Sequence, residues 1–177
     1  INDAYRKLKK KDIKSALLDS ELLLSKAINK SREFIILNSE YDIDEKDYYY
    51  FQDLINQRSK GKPIAYLTGK KFFWKYEFII NDKVLIPRPD TEIIIEQILN
   101  IYKNKSSISF LDIGFGSGCI LLSILKERKD FRATGVDISS HALKACNTNA
   151  YKLGVKNRVK LFKSDIDKFS NGKYDLI

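Results

Sequence analysis

Methionine is absent from the 177 residues, histidine occurs once and cysteine twice. The lone His141 has no partners for a nucleophilic triad and reads as a surface position on a helix. Cys119 and Cys146 have no metal-type spacing, and each falls in a helical stretch, which reads as a buried reduced thiol. Long apolar runs are missing too. None exceeds the four residues of Phe34-Ile35-Ile36-Leu37, against about 18 for a membrane helix. The stretch from Ile1 to Lys10 lacks the apolar centre of a signal peptide. These absences point to a soluble chain with no bound metal and no membrane partner, expected in the cytoplasm. With no methionine at position 1, and with Tyr174-Asp175-Leu176-Ile177 reading as an unfinished strand, the sequence reads as a piece of a longer protein.

Hydrophobic residues make up 44% and charged residues 31%, enough to bury a core and remain soluble, which excludes a disordered chain. The net charge of +9 invites a nucleic-acid partner, but its distribution argues against one. Residues 1–88 carry 18 basic and 13 acidic side chains, and residues 89–177 carry 14 and 10. A nucleic-acid surface concentrates charge on one face and favours arginine, whereas this excess is diffuse and mostly lysine. Nucleic acid is not an expected partner.

The period of the apolar pattern changes twice along the chain. The first 60 residues read as helices only. Asp12 to Asn29 carries Ile13, Leu17, Leu24 and Ile28 near helical spacing, widened by Leu18, Leu22 and Leu23. Ser31 can cap a short segment, and Asp44 with Asp47 resembles a capping box ahead of Tyr48, Phe51 and Ile55. The aromatic run Tyr48-Tyr49-Tyr50-Phe51 reads as core. Gly61 and Pro63 close that helix. Phe72, Trp74, Tyr76, Phe78 and Ile80 then alternate, with Asn81-Asp82 expected as the turn before Val84-Leu85-Ile86, so residues 70–88 read as a linking β-hairpin. Asp90 or Thr91 caps a helix bearing Ile94, Ile95, Ile98 and Tyr102. From residue 108 strand and helix alternate: 108–111, 117–128, 132–136, 140–153 and 159–162. That alternation means βαβ units and a parallel sheet. The expected division is 1–69, 70–88 and 89–177.

The chemistry sits at Leu111-Asp112-Ile113-Gly114-Phe115-Gly116-Ser117-Gly118. A strand runs into three alternating glycines and a helix starts, so a ligand can touch backbone N–H groups at a slightly positive helix end. A dinucleotide fingerprint, G-x-G-x-x-G, would need glycine where Cys119 stands. Asp137, 23 residues after Gly114 and just past the second strand, can accept both hydroxyls of a ribose. Asp165, past the third strand, can accept an adenine amino group. Asp112 beside the glycines would repel a pyrophosphate. Adenosine on a neutral or cationic tail therefore fits better than a dinucleotide, and S-adenosylmethionine is such a ligand.

Three stretches carry a resemblance to a known family: Pro63-Ile64-Ala65-Tyr66-Leu67-Thr68-Gly69, Leu85-Ile86-Pro87-Arg88-Pro89-Asp90-Thr91-Glu92, and the glycine loop. The chain resembles the release factor glutamine methyltransferases of the HemK/PrmC type. The resemblance implies an α/β fold: a partial, Rossmann-like parallel sheet of class I methyltransferases, preceded by a small all-helical domain that recognises substrate and by the hairpin. It implies S-adenosylmethionine as cofactor and peptide chain release factors as the protein substrate, methylated on the side-chain amide of a Gly-Gly-Gln glutamine. Gly114, Phe115, Gly116, Ser117 and Gly118 would face the methionine part, Asp137 the ribose, and Asp165 with Ile166 the adenine. Pro87 and Arg88 would lie at the substrate entrance. Ile166 stands where the family often has a large aromatic. The Asn-Pro-Pro-Tyr motif that clamps the amide has no counterpart here, so no catalytic residue is assigned and the chain alone is expected to be inactive. The alternatives are a nucleic-acid adenine N6-methyltransferase, which shares that motif, and an NAD-binding oxidoreductase.

Overall fold

The computed structural model describes residues 1–170 and 172–177 and divides into two compact units, Ile1–Gly69 and Lys70–Ile177. The first unit is five helices: α1 (Asn2–Lys9), α2 (Ala16–Ala27), α3 (Arg32–Leu37), α4 (Glu45–Ser59) and α5 (Ile64–Thr68). Two caps are as the sequence leads one to expect. The Ser31 hydroxyl accepts from the Phe34 N–H, and the Asp44 carboxylate from the Asp47 N–H, each satisfying an orphan donor of a first turn.

The buried faces differ from the expected ones. On α2 the inward stripe is Ala16, Ser20, Leu23, Leu24 and Ala27, while Leu17 and Leu18 are exposed. Seven apolar residues in that stretch surround the helix, so period alone could not choose the face. The choice is made by Asp19 and Ser20: Ser20 bonds back to the Ala16 carbonyl, and the buried Asp19 accepts from Arg58 Nε of α4 at 2.6 Å. On α4 the core residues are Phe51, Leu54 and Ile55. Tyr48, Tyr49 and Tyr50 are 48%, 63% and 42% exposed, which corrects the reading of the aromatic run as core. Consecutive helix residues point 100° apart, so only Phe51 reaches the face that meets α2.

The second unit opens with a hairpin, β1 (Lys70–Phe73) paired antiparallel with β2 (Tyr76–Ile79). Its turn is Trp74-Lys75, not Asn81-Asp82, and Val84 to Ile86 form no strand. Trp74 holds φ +57°, a turn conformation that usually goes to glycine. Acids from distant elements hold it there: Glu92 accepts the Trp74 N–H at 2.8 Å, and Glu127 accepts its indole N–H at 3.0 Å. The shifted turn changes which side chains face inward. Phe73 and Phe78 are buried in the core while Phe72 is exposed, and the hairpin shares that core instead of standing apart as a linker.

A 3-10 turn at Pro89–Thr91 leads into α6 (Glu92–Ile101), which buries Ile95 and exposes Ile94. Then come β3 (Ser109–Ile113), α7 (Cys119–Glu127), β4 (Arg132–Asp137), α8 (Ser140–Lys152) and β5 (Val159–Lys163). The three strands are parallel in the order β3-β4-β5. On the other side of β3, Leu176 makes a parallel bridge to Phe110. The chain therefore steps outward from β3 twice and returns to its opposite side. In such sheets the crevice at the carboxyl end of the strand where direction reverses is where ligands bind. No helix is long and apolar enough to cross a membrane among the described residues.

Removing Arg58 tests the packing of the first unit. Arg58→Ala leaves the Asp19 carboxylate buried without its partner, a change that costs about 3–5 kcal/mol. Denaturant unfolding should show a loss of that size; a loss under about 1 kcal/mol would mean the pair does not fix the α2–α4 contact.

Candidate functional site

The carboxyl end of β3 turns into α7 through the glycine loop. The Gly114 N–H extends the ladder to the Val136 carbonyl at 2.7 Å. Phe115 is buried against β4, where a β-carbon on Gly135 would fall 2.7 Å from its ring. The Gly118 N–H bonds back to the Phe115 carbonyl at 2.7 Å, and the Gly118 carbonyl accepts the first helical bond, from Leu122. Gly118 needs to be glycine twice over: its φ is +78°, and a β-carbon there would lie 2.4 Å from Cys146 Sγ on α8. Gly114, at φ +79°, is different, because a β-carbon there would meet nothing within 4 Å. Space beside the loop is open at that point.

Asp137 closes the arrangement from the end of β4. Its Oδ2 accepts the Gly116 N–H at 3.0 Å and its Oδ1 the Ser139 N–H at 2.8 Å. An ionised carboxylate has about four acceptor positions, so each oxygen keeps one lone pair for a further donor. The Ser164 N–H bonds to the Asp137 carbonyl at 3.1 Å, which brings the end of β5, and Asp165 after it, to the same edge. Asp165 is exposed and caps a short turn, accepting the Asp167 N–H at 3.3 Å; Ile166 is partly exposed beside it. Pro87 is buried and Arg88 exposed, at the end of a segment that passes the loop: Val84 Cγ1 lies 3.8 Å from where a Gly116 β-carbon would be.

Two polar atoms under the loop are shut in without partners, Asp112 Oδ2 and Ser117 Oγ. Burial first, and the charge of Asp137 second, push the Asp112 carboxyl up to about 6, against the opposing pull of the Leu121 N–H. Both cysteines are free, with Cys146 buried and Cys119 half-buried, and burial raises both thiols. No cluster of metal-ligating side chains occurs among the described residues. His141 is exposed on α8.

The glycines, Asp137 and the start of Asp165 thus share one edge, while the Asp165 carboxylate is engaged as a cap. The residue that sequence reading missed is Asn149, fully buried on α8, which bonds both to β2 and to the Ser117 carbonyl. A signal existed. The face Ala142, Ala145, Cys146, Asn149, Ala150 is otherwise apolar and small, and a polar side chain on such a face must find partners.

Comparison with known proteins bears on both units. Residues 1–69 match the family described as the PrmC N-terminal domain, and residues 104–177 match a methyltransferase domain. The chain is 40% identical over 161 residues to the release factor glutamine methyltransferase of Leptospira interrogans, covering 90% of this chain and 56% of that protein. It is 42% identical over 159 residues to the protein of the same name from Buchnera aphidicola, covering 90% and 57%. A bifunctional methyltransferase of Rickettsia conorii is 31% identical, over 100% of this chain and 38% of its own. The chain therefore spans little more than half the length of the first two relatives. Among solved structures, a SAM-dependent methyltransferase from Geobacter sulfurreducens in complex with S-adenosyl-L-homocysteine overlaps 48% of this chain and 32% of its own, at TM-score 0.40 and 23% identity.

The position of Asp112 predicts a pH dependence. A carboxyl raised from 3.8 to about 6 binds more protons folded than unfolded between those values, so its contribution to stability falls as pH rises through that window. The span corresponds to roughly 3 kcal/mol. Asp112→Asn should therefore be more stable than the parent at pH 8, and the gap should close toward pH 4. Equal stability at both pH values would show that the carboxyl carries no such penalty.

Proposed function

We propose that this chain is part of a protein of the release factor glutamine methyltransferase family, that its second unit binds S-adenosyl-L-methionine, and that the protein methylates the side-chain amide nitrogen of the Gly-Gly-Gln glutamine in peptide chain release factors. The observation that carries the reading is the loop itself: three left-handed glycines at the carboxyl end of β3, open beside Gly114 and braced from below by Asp137.

The residues present fit this cofactor and fit a dinucleotide poorly. The spare lone pair on each Asp137 oxygen matches the two hydroxyls of a ribose. The Asp112 carboxylate, two residues before Gly114, would repel a pyrophosphate and favour a cationic tail. The cofactor, when bound, supplies a sulfonium methyl group as the electrophile. Gly114 to Gly118 would hold its methionine part, and Asp165 with Ile166 would border the adenine. Pro87 and Arg88 stand at the side from which the substrate enters. An amide nitrogen is a weak nucleophile because its lone pair is delocalised into the carbonyl, so catalysis here is chiefly orientation of that nitrogen toward the methyl carbon. No residue of this chain is assigned to that clamp. The helical first unit is the part that recognises the release factor.

Asp137→Ala tests the cofactor reading. Each lost hydrogen bond to the charged carboxylate is worth roughly 1.5–3 kcal/mol, so affinity for S-adenosyl-L-methionine should fall at least about tenfold by calorimetry. Unchanged affinity in the variant, or tighter binding of NAD by the parent protein, would overturn the assignment.

A further inference from the structure

Asn149 spends its whole carboxamide on main-chain atoms. Its Oδ1 accepts the Ile79 N–H at 2.7 Å, and its Nδ2 donates to the Ile79 carbonyl at 2.9 Å and to the Ser117 carbonyl at 3.0 Å. The side chain is fully buried, so none of these bonds is shared with solvent. Ile79 is the last residue of β2, and the chain that leaves it is the segment that runs past Gly116 at Val84 and ends in Pro87 and Arg88. Ser117 is the residue on which the glycine loop hands over to α7.

The peptide plane between Ser117 and Gly118 is rigid, with its carbonyl and N–H directed oppositely. Asn149 takes the carbonyl, and the Gly118 N–H is thereby directed at the Phe115 carbonyl, 2.7 Å away. Glycine at φ +78° offers little intrinsic resistance to rotation of this plane. Something outside the loop has to set it, and the Asn149 amide is placed to do so. The same amide fixes the start of the neighbouring segment. One side chain thus sets two walls of the candidate cofactor site against each other.

We propose that Asn149 is the positioning residue of the cofactor site, holding the Ser117–Gly118 peptide plane and the Ile80–Arg88 segment in binding-ready register before the cofactor arrives. The proposal rests on the cofactor reading given above. It assigns Asn149 no contact with the cofactor; the residue acts through Ser117 and Ile79. Pre-set geometry of this kind raises affinity by removing the ordering that binding would otherwise require.

The test uses the full chain and S-adenosyl-L-methionine. Asn149→Asp keeps the size and one acceptor but loses both donors, leaving the Ile79 and Ser117 carbonyls facing a carboxylate. Leu125→Ala, in the core of α7 away from the loop, serves as a destabilised control. At a temperature where circular dichroism shows each protein folded, Asn149→Asp should bind at least tenfold more weakly than the parent, and its Gly116 and Gly118 amide resonances should move in the ligand-free protein. Leu125→Ala should bind within about twofold of the parent despite its lower melting temperature. A folded Asn149→Asp protein that binds within twofold of the parent overturns the proposal. Should that variant not fold, the parent protein supplies the readout: in the ligand-free protein the Asn149 side-chain amide and Ile79 main-chain hydrogens should already be protected from exchange, and protection that appears only on saturation with cofactor overturns the proposal equally. A parent protein that binds no S-adenosyl-L-methionine overturns the cofactor reading and this proposal together, whereas parental binding with an indifferent Asn149 variant overturns the proposal alone.

Discussion

The contact on which the second unit depends is the meeting of the Gly118 main chain with Cys146 of α8. A β-carbon at position 118 would lie 2.4 Å from the sulfur and 3.0 Å from Leu122, so the first turn of α7 can press against α8 only where a side chain is missing. Gly135 does the same for the layer below, admitting the Phe115 ring and Leu161 against β4. These two absences bring the helices down onto the sheet and force the loop between β3 and α7 into a tight turn whose glycine N–H groups bond to Val136, Asp137 and Phe115. The geometry of the loop is a by-product of close packing at Gly118 and Gly135.

Polar side chains then tie the other elements to this core at a small number of points. Glu127, at the end of α7, accepts from the Trp74 indole, the Tyr76 hydroxyl and Lys75, which fastens the turn of the hairpin. Asn149 fastens the last residue of β2. Arg158 donates to the carbonyls of Leu125, Arg128 and Phe131, satisfying acceptors at and beyond the C-terminal end of α7. Each of these groups is worth more for what its removal would strand than for the bond itself, because a buried donor or acceptor without a partner costs about 1–3 kcal/mol. The hairpin is therefore held at both ends by residues more than 50 positions away in sequence.

That distance separates what was legible in the sequence from what was not. The alternation of strand and helix after residue 108, the caps at Ser31 and Asp44, and the glycine loop followed by Asp137 depend on local period and on residues with strong conformational preferences. The turn at Trp74-Lys75 does not. Asn81-Asp82 has the better turn chemistry, and Trp74 adopts a left-handed conformation because Glu92 and Glu127 hold it. Helical spacing alone does not show that Tyr48, Tyr49 and Tyr50 point outward, nor which face of α2 is buried when its apolar residues surround the helix. At the site, the nature of the loop was readable, but the support beneath it was not: Asn149 lies 32 residues from Ser117, and only the fold brings them together.

The central claim is that the glycine loop and Asp137 form a cradle for an adenosine cofactor with a non-phosphate tail. A crystal structure of the chain grown with S-adenosyl-L-homocysteine addresses it most directly. The account predicts ligand density along Gly114 to Gly118, with both ribose hydroxyls within hydrogen-bond distance of the Asp137 carboxylate and the Gly116 N–H contact retained. Ligand bound elsewhere, or an Asp137 carboxylate that touches only Gly116 and Ser139 with ligand present, would contradict it.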